Sequence, residues 1–173
     1  MKYTEAAFRA IEHDMIAFVS EHHKNQTYSL DRPYTFHLRA VRDTVFKFLA
    51  YIPYGVSVEV VVLAAWGHDL IEDTGVSREE LENRYGSEVS DLIWRVSNEA
   101  GINRKARHDA TYGKIKECDT AVFLKLCDRI ANVEAGGKTG MYKKEWLGFK
   151  AALYTEGEFE VLWAALEQLL NGE

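Results

Sequence analysis

Val58 to Trp66 is an apolar run broken only by Glu59, and it leads through Gly67 into His68-Asp69, with Glu72-Asp73 one turn later. A helix that is apolar on every side is a buried helix. In helical geometry residues three and four apart lie on one face. Asp69 then shares a face with Glu72 and Asp73, and His68 shares one with Glu72. Buried charge without a partner is strongly unfavourable. A divalent metal resolves that conflict, because imidazole and carboxylate are its usual ligands. Two more candidate ligands sit on other expected helices: His37 upstream and Asp128 downstream.

A lone histidine such as His37, between Phe36 and Leu38, reads naturally as a hydrogen-bonded core residue. The company it keeps changes that reading. Asp128 lies in the apolar stretch Val122-Phe123-Leu124-Lys125-Leu126-Cys127, so its carboxylate also enters a buried setting, with Asn132 one turn on. The bland alternative for Glu72 and Asp73 is a solvated helix end.

The 173 residues suit a single domain, 1–173, long enough to bury a substantial core. A hydrophobic content of 47% argues against disorder, and a net charge of −6 gives no general reason to expect nucleic acid as a partner. No stretch approaches the eighteen or so uncharged apolar residues of a membrane span. Met1 to Ala10 carries Lys2, Glu5 and Arg9 and lacks an apolar signal-peptide core. Cys118 and Cys127 make no CxxC motif or disulfide framework, so a reducing cytoplasm is the expected setting.

Periodicity predicts helices over Glu5–His23, Tyr34–Ala50, Ser57–Asp69, Glu79–Tyr85, Ser87–Val96, Arg104–Lys116, Ala121–Ala135, Tyr142–Leu153 and Glu158–Leu170. Ser57 is the expected N-cap of the apolar helix, Gly75 ends the acidic turn, and Ser77 with Glu80 fits a capping box. Lys24 to Arg32 reads as a loop. The fold class is therefore all-α, one bundle of roughly eight or nine helices. Gly136-Gly137-Lys138-Thr139 invites a P-loop reading, but Asn132 stands where the motif needs glycine and a helix precedes it. The glycines more simply end a helix and loosen the next loop.

The order His…His-Asp…Asp resembles the HD-domain superfamily of metal-dependent phosphohydrolases. Ala64-Ala65-Trp66-Gly67-His68-Asp69-Leu70-Ile71-Glu72-Asp73-Thr74 is more similar still to the RelA/SpoT-type ppGpp hydrolase domains and their small stand-alone relatives. Pro33-Tyr34 before His37 and Lys125-Leu126-Cys127-Asp128-Arg129-Ile130-Ala131-Asn132 agree with it, and the resemblance runs from about His23 to Tyr154. It implies His37, His68, Asp69 and Asp128 as ligands of one divalent ion, most often Mn²⁺, with other transition metals able to occupy such N/O sites. It also implies Glu72 and Asp73 as catalytic carboxylates acting on water, and Asn132 as a substrate contact. The alternative for Asn132 is a helix-capping role.

One departure bears on specificity. A basic pair of the family is absent from Asn25-Gln26-Thr27-Tyr28-Ser29, where only Lys24 is basic nearby; Tyr28 could stack on a base, but an exposed loop tyrosine is the commoner fate. Two other basic groups, Arg104-Lys105-Arg107 and Lys143-Lys144 near Lys138, are candidates to hold phosphate. The alternative for both is a solvated basic face. The expected function is metal-dependent hydrolysis of a phosphorylated nucleotide, most specifically the 3′-pyrophosphate of ppGpp-like alarmones. An HD nucleotidase for another nucleoside mono- or triphosphate is the alternative enzyme. A nucleotide-sensing module without turnover is the alternative outside enzymology.

Overall fold

A computed structural model describes residues 4–29, 31–136 and 138–172. Gly137 of the paired glycines and Met1 and Lys2 of the first ten residues lie outside the described residues. The described chain is all-α: α1 Glu5–His22, α2 Thr35–Lys47, α3 Val58–Gly67, α4 Leu70–Thr74, α5 Arg78–Tyr85, α6 Ser87–Val96, α7 Arg104–Lys116, α8 Asp119–Glu134, α9 Thr139–Leu153 and α10 Glu160–Asn171, with a 3-10 turn at Leu49–Tyr51.

The helix spanning Ser57–Asp69 is shorter than the spacing predicts. Its ladder stops at Gly67, and α4 begins at Leu70, which is why ten α-helical segments appear. His68 and Asp69 keep right-handed dihedrals, so the chain bends there without unwinding. A Cβ on Gly67 would come within 2.8 Å of Ile93 Cδ1, so the absent side chain lets this bend seat tightly against α6. Gly75, at φ 78°, stops α4 in the left-handed conformation that glycine adopts without strain.

Ser57 occupies the N-cap of α3, but its hydroxyl donates to Glu59 rather than capping a backbone N–H. At α5 the expected cap forms, with Ser77 Oγ accepting from Glu80 N–H at 3.0 Å. The stretch expected as a loop contains a two-residue antiparallel ladder, Thr27–Tyr28 against Arg32–Pro33, which turns Tyr28 inward.

Two helices make the centre. From Val60 to Trp66 every residue of α3 is buried, enclosed by α1, α2, α6 and α8. In α8 the buried stretch runs unbroken from Thr120 to Val133 and meets α2, α6, α7, α9 and α10. The site hangs on these two helices and on α2, so its positions are fixed by the core itself.

Candidate functional site

His37 comes from α2, His68 and Asp69 from the bend after α3, and Asp128 from α8. The structure brings them together. The two imidazole Nε2 atoms are 3.2 Å apart, and Asp69 Oδ2 lies 3.6 Å from His37 Nε2 and 3.1 Å from His68 Nε2. Asp128 Oδ1 is 3.4 Å and 3.7 Å from the same nitrogens. His37, His68 and Asp69 each offer a ligand atom within 4.8 Å of the others, a potential metal site.

Donor chemistry supports a cation there. His68 Nδ1 lies 2.9 Å from the Ala65 carbonyl, which fixes Nδ1 as the N–H donor and presents Nε2 as a ligand. Two imidazoles and two carboxylates without thiolate leave coordination positions for water or substrate, as a catalytic ion requires.

Burial disfavours the charged His68 ring, but the neighbouring Asp69 and Asp128 outweigh it and push the imidazole up to about 9. Burial likewise works against an ionised Asp69, yet His68 and His37 hold its carboxyl well below the usual range. Asp128 behaves the same way, with Lys125 as the strongest counterweight to burial. Lys125 Nζ is 3.0 Å from Asp128 Oδ2 and only 8% exposed. Nothing in the sequence analysis singled it out, although a lone cation three residues before Asp128 in an apolar stretch was a usable signal.

Glu72 and Asp73 both line the cavity above this cluster, but they have different partners. Glu72 accepts from Asn98 N–H at 3.1 Å and from the Asn98 side-chain amide, and Arg107 Nη1 stands 3.6 Å away. Among the described residues Asp73 Oδ2 accepts only from the Tyr34 hydroxyl, at 3.1 Å, and that hydroxyl also reaches Asp69 Oδ2 at 2.7 Å. Burial, then the Asp69 and Glu72 charges, raise the Asp73 carboxyl. Tyr34 itself is pushed up by burial and by Asp69 and Asp73, so it stays a donor. Tyr34 and Asn98 are polar partners that the sequence analysis did not assign.

The cavity holds about 240 Å³ and its walls are almost wholly polar. Arg104 and Arg107 line it, as expected, and Lys138 joins them. Lys105, Lys143 and Lys144 are placed elsewhere. Lys105 pairs with Asp109 at 2.5 Å on the outer face of α7, and Lys143 is exposed. Lys144 lines a separate cleft between α7 and α9, which Lys105 and Arg104 also border. Helical period explains the division: in Arg104-Lys105-Ala106-Arg107 the first and fourth residues share a face and the second does not.

Asn132 lines the cavity, yet its amide is fully engaged. Nδ2 donates to Asp128 Oδ1 at 2.7 Å, and Oδ1 accepts from Tyr28 at 3.0 Å. Tyr28 in turn stacks on His37, with ring centroids 5.0 Å apart and planes 9° apart. Asn132 and Tyr28 therefore hold Asp128 and His37 in place from two sides of the cluster.

An all-α bundle that gathers two histidines and two aspartates from three separate segments beneath an acidic pair has the architecture of an HD-type domain. Comparison with known proteins narrows this. No protein-family model matches the chain. A guanosine-3′,5′-bis(diphosphate) 3′-pyrophosphohydrolase of Aquifex aeolicus is 31% identical over 121 residues, covering 68% of this chain and 16% of that protein. The guanosine-3′,5′-bis(diphosphate) 3′-pyrophosphohydrolase MESH1 of Danio rerio is 28% identical over 123 residues, 69% of this chain and 66% of that protein. The chain thus spans about a sixth of the length of the bacterial relative and about two thirds of the fish one. A solved structure, reported as a metazoan ortholog of SpoT that hydrolyzes ppGpp, matches with a TM-score of 0.79 at 19% identity, over 99% of this chain and 98% of that one. The fold is that of the solved structure, and the chain is similar to RelA/SpoT-type HD-domain hydrolases in sequence.

Proposed function

We propose that this chain is a metal-dependent phosphohydrolase that removes the 3′-pyrophosphate of a ppGpp-like alarmone. The observation that carries the proposal is one cavity lined by His37, Asp69, Asp128, Asp73, Arg104 and Arg107, with His68 in contact with the first three of them just beneath its floor. The names of the homologues supply the substrate class.

On this reading the four donors hold one divalent ion, Mn²⁺ in first place. When bound, the ion polarises a phosphoryl oxygen and favours the deprotonation of water. Asp73 takes the water proton at Oδ1, the oxygen that Tyr34 leaves free, and its raised affinity for protons suits it to a base. Glu72, held by Asn98, aligns the attacking water and keeps Arg107 over the reacting phosphate. Arg104 and Arg107 hold substrate phosphate, while Lys105, Lys143 and Lys144 add only a longer-range attractive field. Asn132 contacts substrate once Tyr28 moves off its carbonyl oxygen.

A second reading has one observation in its favour: the segment Asn25–Ser29 contributes Tyr28, and no cation, to the cavity. It keeps the chemistry and changes the substrate to another nucleoside mono- or triphosphate. A non-catalytic sensing module would have no chemical use for Asp73. No helix of the described residues is long and apolar enough to cross a membrane. A cytoplasmic setting, with no nucleic-acid partner, goes with the proposal and with two free cysteines.

The test is a substrate panel with metal-loaded protein. Phosphorus NMR should show ppGpp losing its 3′-pyrophosphate faster than GTP, ATP or nucleoside monophosphates are cleaved. Rapid cleavage of one of those with ppGpp untouched removes the alarmone assignment.

A further inference from the structure

Arg129 follows Asp128 directly on α8 and lines the catalytic cavity, although it is only 3% exposed. Its guanidinium lies 3.8 Å from the centroid of the Phe149 ring and 5.1 Å from that of Tyr142, so its plane is set by aromatic packing. Nη2 donates to Tyr112 Oη at 3.0 Å and to Glu145 Oε2 at 3.2 Å. The buried Nε–H meets no acceptor among the described residues. An unsatisfied donor on a buried cation is among the least favourable arrangements in a protein interior.

Glu145 cannot answer that need alone. Its Oε1 accepts from Arg104 Nε at 2.5 Å, so one carboxylate serves two guanidinium groups, and both border the same cavity. Another buried cation of α8, Lys125, shows the contrast, since Asp128 accompanies it at 3.0 Å. The wall formed by Arg129, Arg104 and Glu145 is one negative charge short.

We propose that Arg129 and Arg104 form a built-in phosphate seat, in which Glu145 is the resident counter-ion and a phosphate group of the substrate supplies the negative charge that the wall lacks. This rests on the phosphohydrolase reading and adds Arg129 as a substrate-binding residue, with Glu145 as the residue that limits its affinity. A planar guanidinium pre-set on Phe149 loses little freedom on meeting a phosphate, and its fork matches phosphate oxygens. The seat is drawn from α7 and α8, with its counter-ion on α9, and takes nothing from the Asn25–Ser29 segment that lacks basic residues.

Orthophosphate titrated into metal-loaded protein by calorimetry tests the seat without turnover. Arg129→Lys keeps the charge and removes the fork, and should weaken phosphate binding about tenfold or more at unchanged metal content. Glu145→Gln removes the competing charge and should tighten it severalfold. A purely structural Arg129–Glu145 pair predicts the opposite sign for Glu145→Gln, because loosening it would disorder both arginines. Phosphate binding by a folded Arg129→Lys that equals wild type overturns the seat, as does weaker binding by Glu145→Gln. If Arg129→Lys fails to fold, the sign of the Glu145→Gln effect decides. A chain that hydrolyses ppGpp but shows neither shift loses the seat and keeps its function. A chain that hydrolyses no nucleotide but shows both shifts keeps the seat and loses the hydrolase reading.

Discussion

The two sides of the cavity solve the problem of charge in different ways. On the floor, His37, His68, Asp69, Asp128 and Lys125 are held among apolar helices, and each has a partner within the cluster. On the rim, Arg104 and Arg107 are partly exposed and share carboxylates, while Lys105, Lys143 and Lys144 face away from the cavity. Burial forces the floor residues into one geometry because no alternative is tolerable in low dielectric. Water tolerates the rim charges in many positions, so their residue types alone do not say where they point.

If the floor is a unit, the largest losses come from breaking it. Asp128→Ala removes a candidate ligand and leaves Lys125 buried without its carboxylate. It should abolish detectable metal binding and activity and lower the melting temperature, as read by elemental analysis and thermal unfolding. A variant that keeps its metal would separate Asp128 from the cluster.

One step above the floor, Asp73→Asn and Glu72→Gln should each slow turnover by roughly a hundredfold or more at nearly unchanged metal content, the scale of general acid–base catalysis. Asp73→Asn should be the more severe, because Asp73 alone has a carboxylate oxygen free for a proton. Equal rates in the two variants would erase that distinction.

Asn132→Ala tests how far the floor depends on its supports. It removes the amide that orients Asp128 and the acceptor of Tyr28, and metal affinity should fall by about tenfold or more, as expected for groups that orient ligands. An unchanged affinity would leave Asn132 only its substrate role. On the rim, Arg107→Gln should chiefly raise KM, by a few-fold, with an effect that shrinks as salt increases.

Titration sharpens the same contrast. In metal-free protein the folded-state value of His68, raised from 6.5 to about 9, means that its contribution to stability is complete below pH 6.5 and is lost as pH climbs through 9. Metal-free protein should therefore melt at lower temperature at pH 9 than at pH 6.5. Metal competes with that proton, so metal affinity should rise over the same window. A metal-free melting temperature that climbs from pH 6.5 to 9 would contradict this assignment.

The contrast also accounts for what the sequence disclosed. Val58–Trp66 leading into His68-Asp69, and Val122–Cys127 leading into Asp128, are apolar runs with charge at their ends, and such charge has few places to go. The helical class and the meeting of His37 with the other three were legible for that reason. The break at Gly67 was not, because it depends on the close approach of Ile93 on α6. Neither was the inward turn of Tyr28, which the short ladder with Arg32–Pro33 creates. Tyr34, Asn98 and Arg129 act through partners distant in sequence, and only the folded chain pairs them. Lys105, Lys143 and Lys144 show the converse, since basic composition alone did not reveal which face each occupies.

If His37, His68, Asp69 and Asp128 hold a divalent ion on which phosphoester cleavage depends, ion stoichiometry and ppGpp cleavage must move together in wild type, chelated wild type and His68→Ala. Wild type should hold about one ion per chain and show measurable cleavage, with both lost on chelation and in His68→Ala and both restored to wild type by Mn²⁺. Cleavage that persists in chelated protein and in His68→Ala would contradict that dependence.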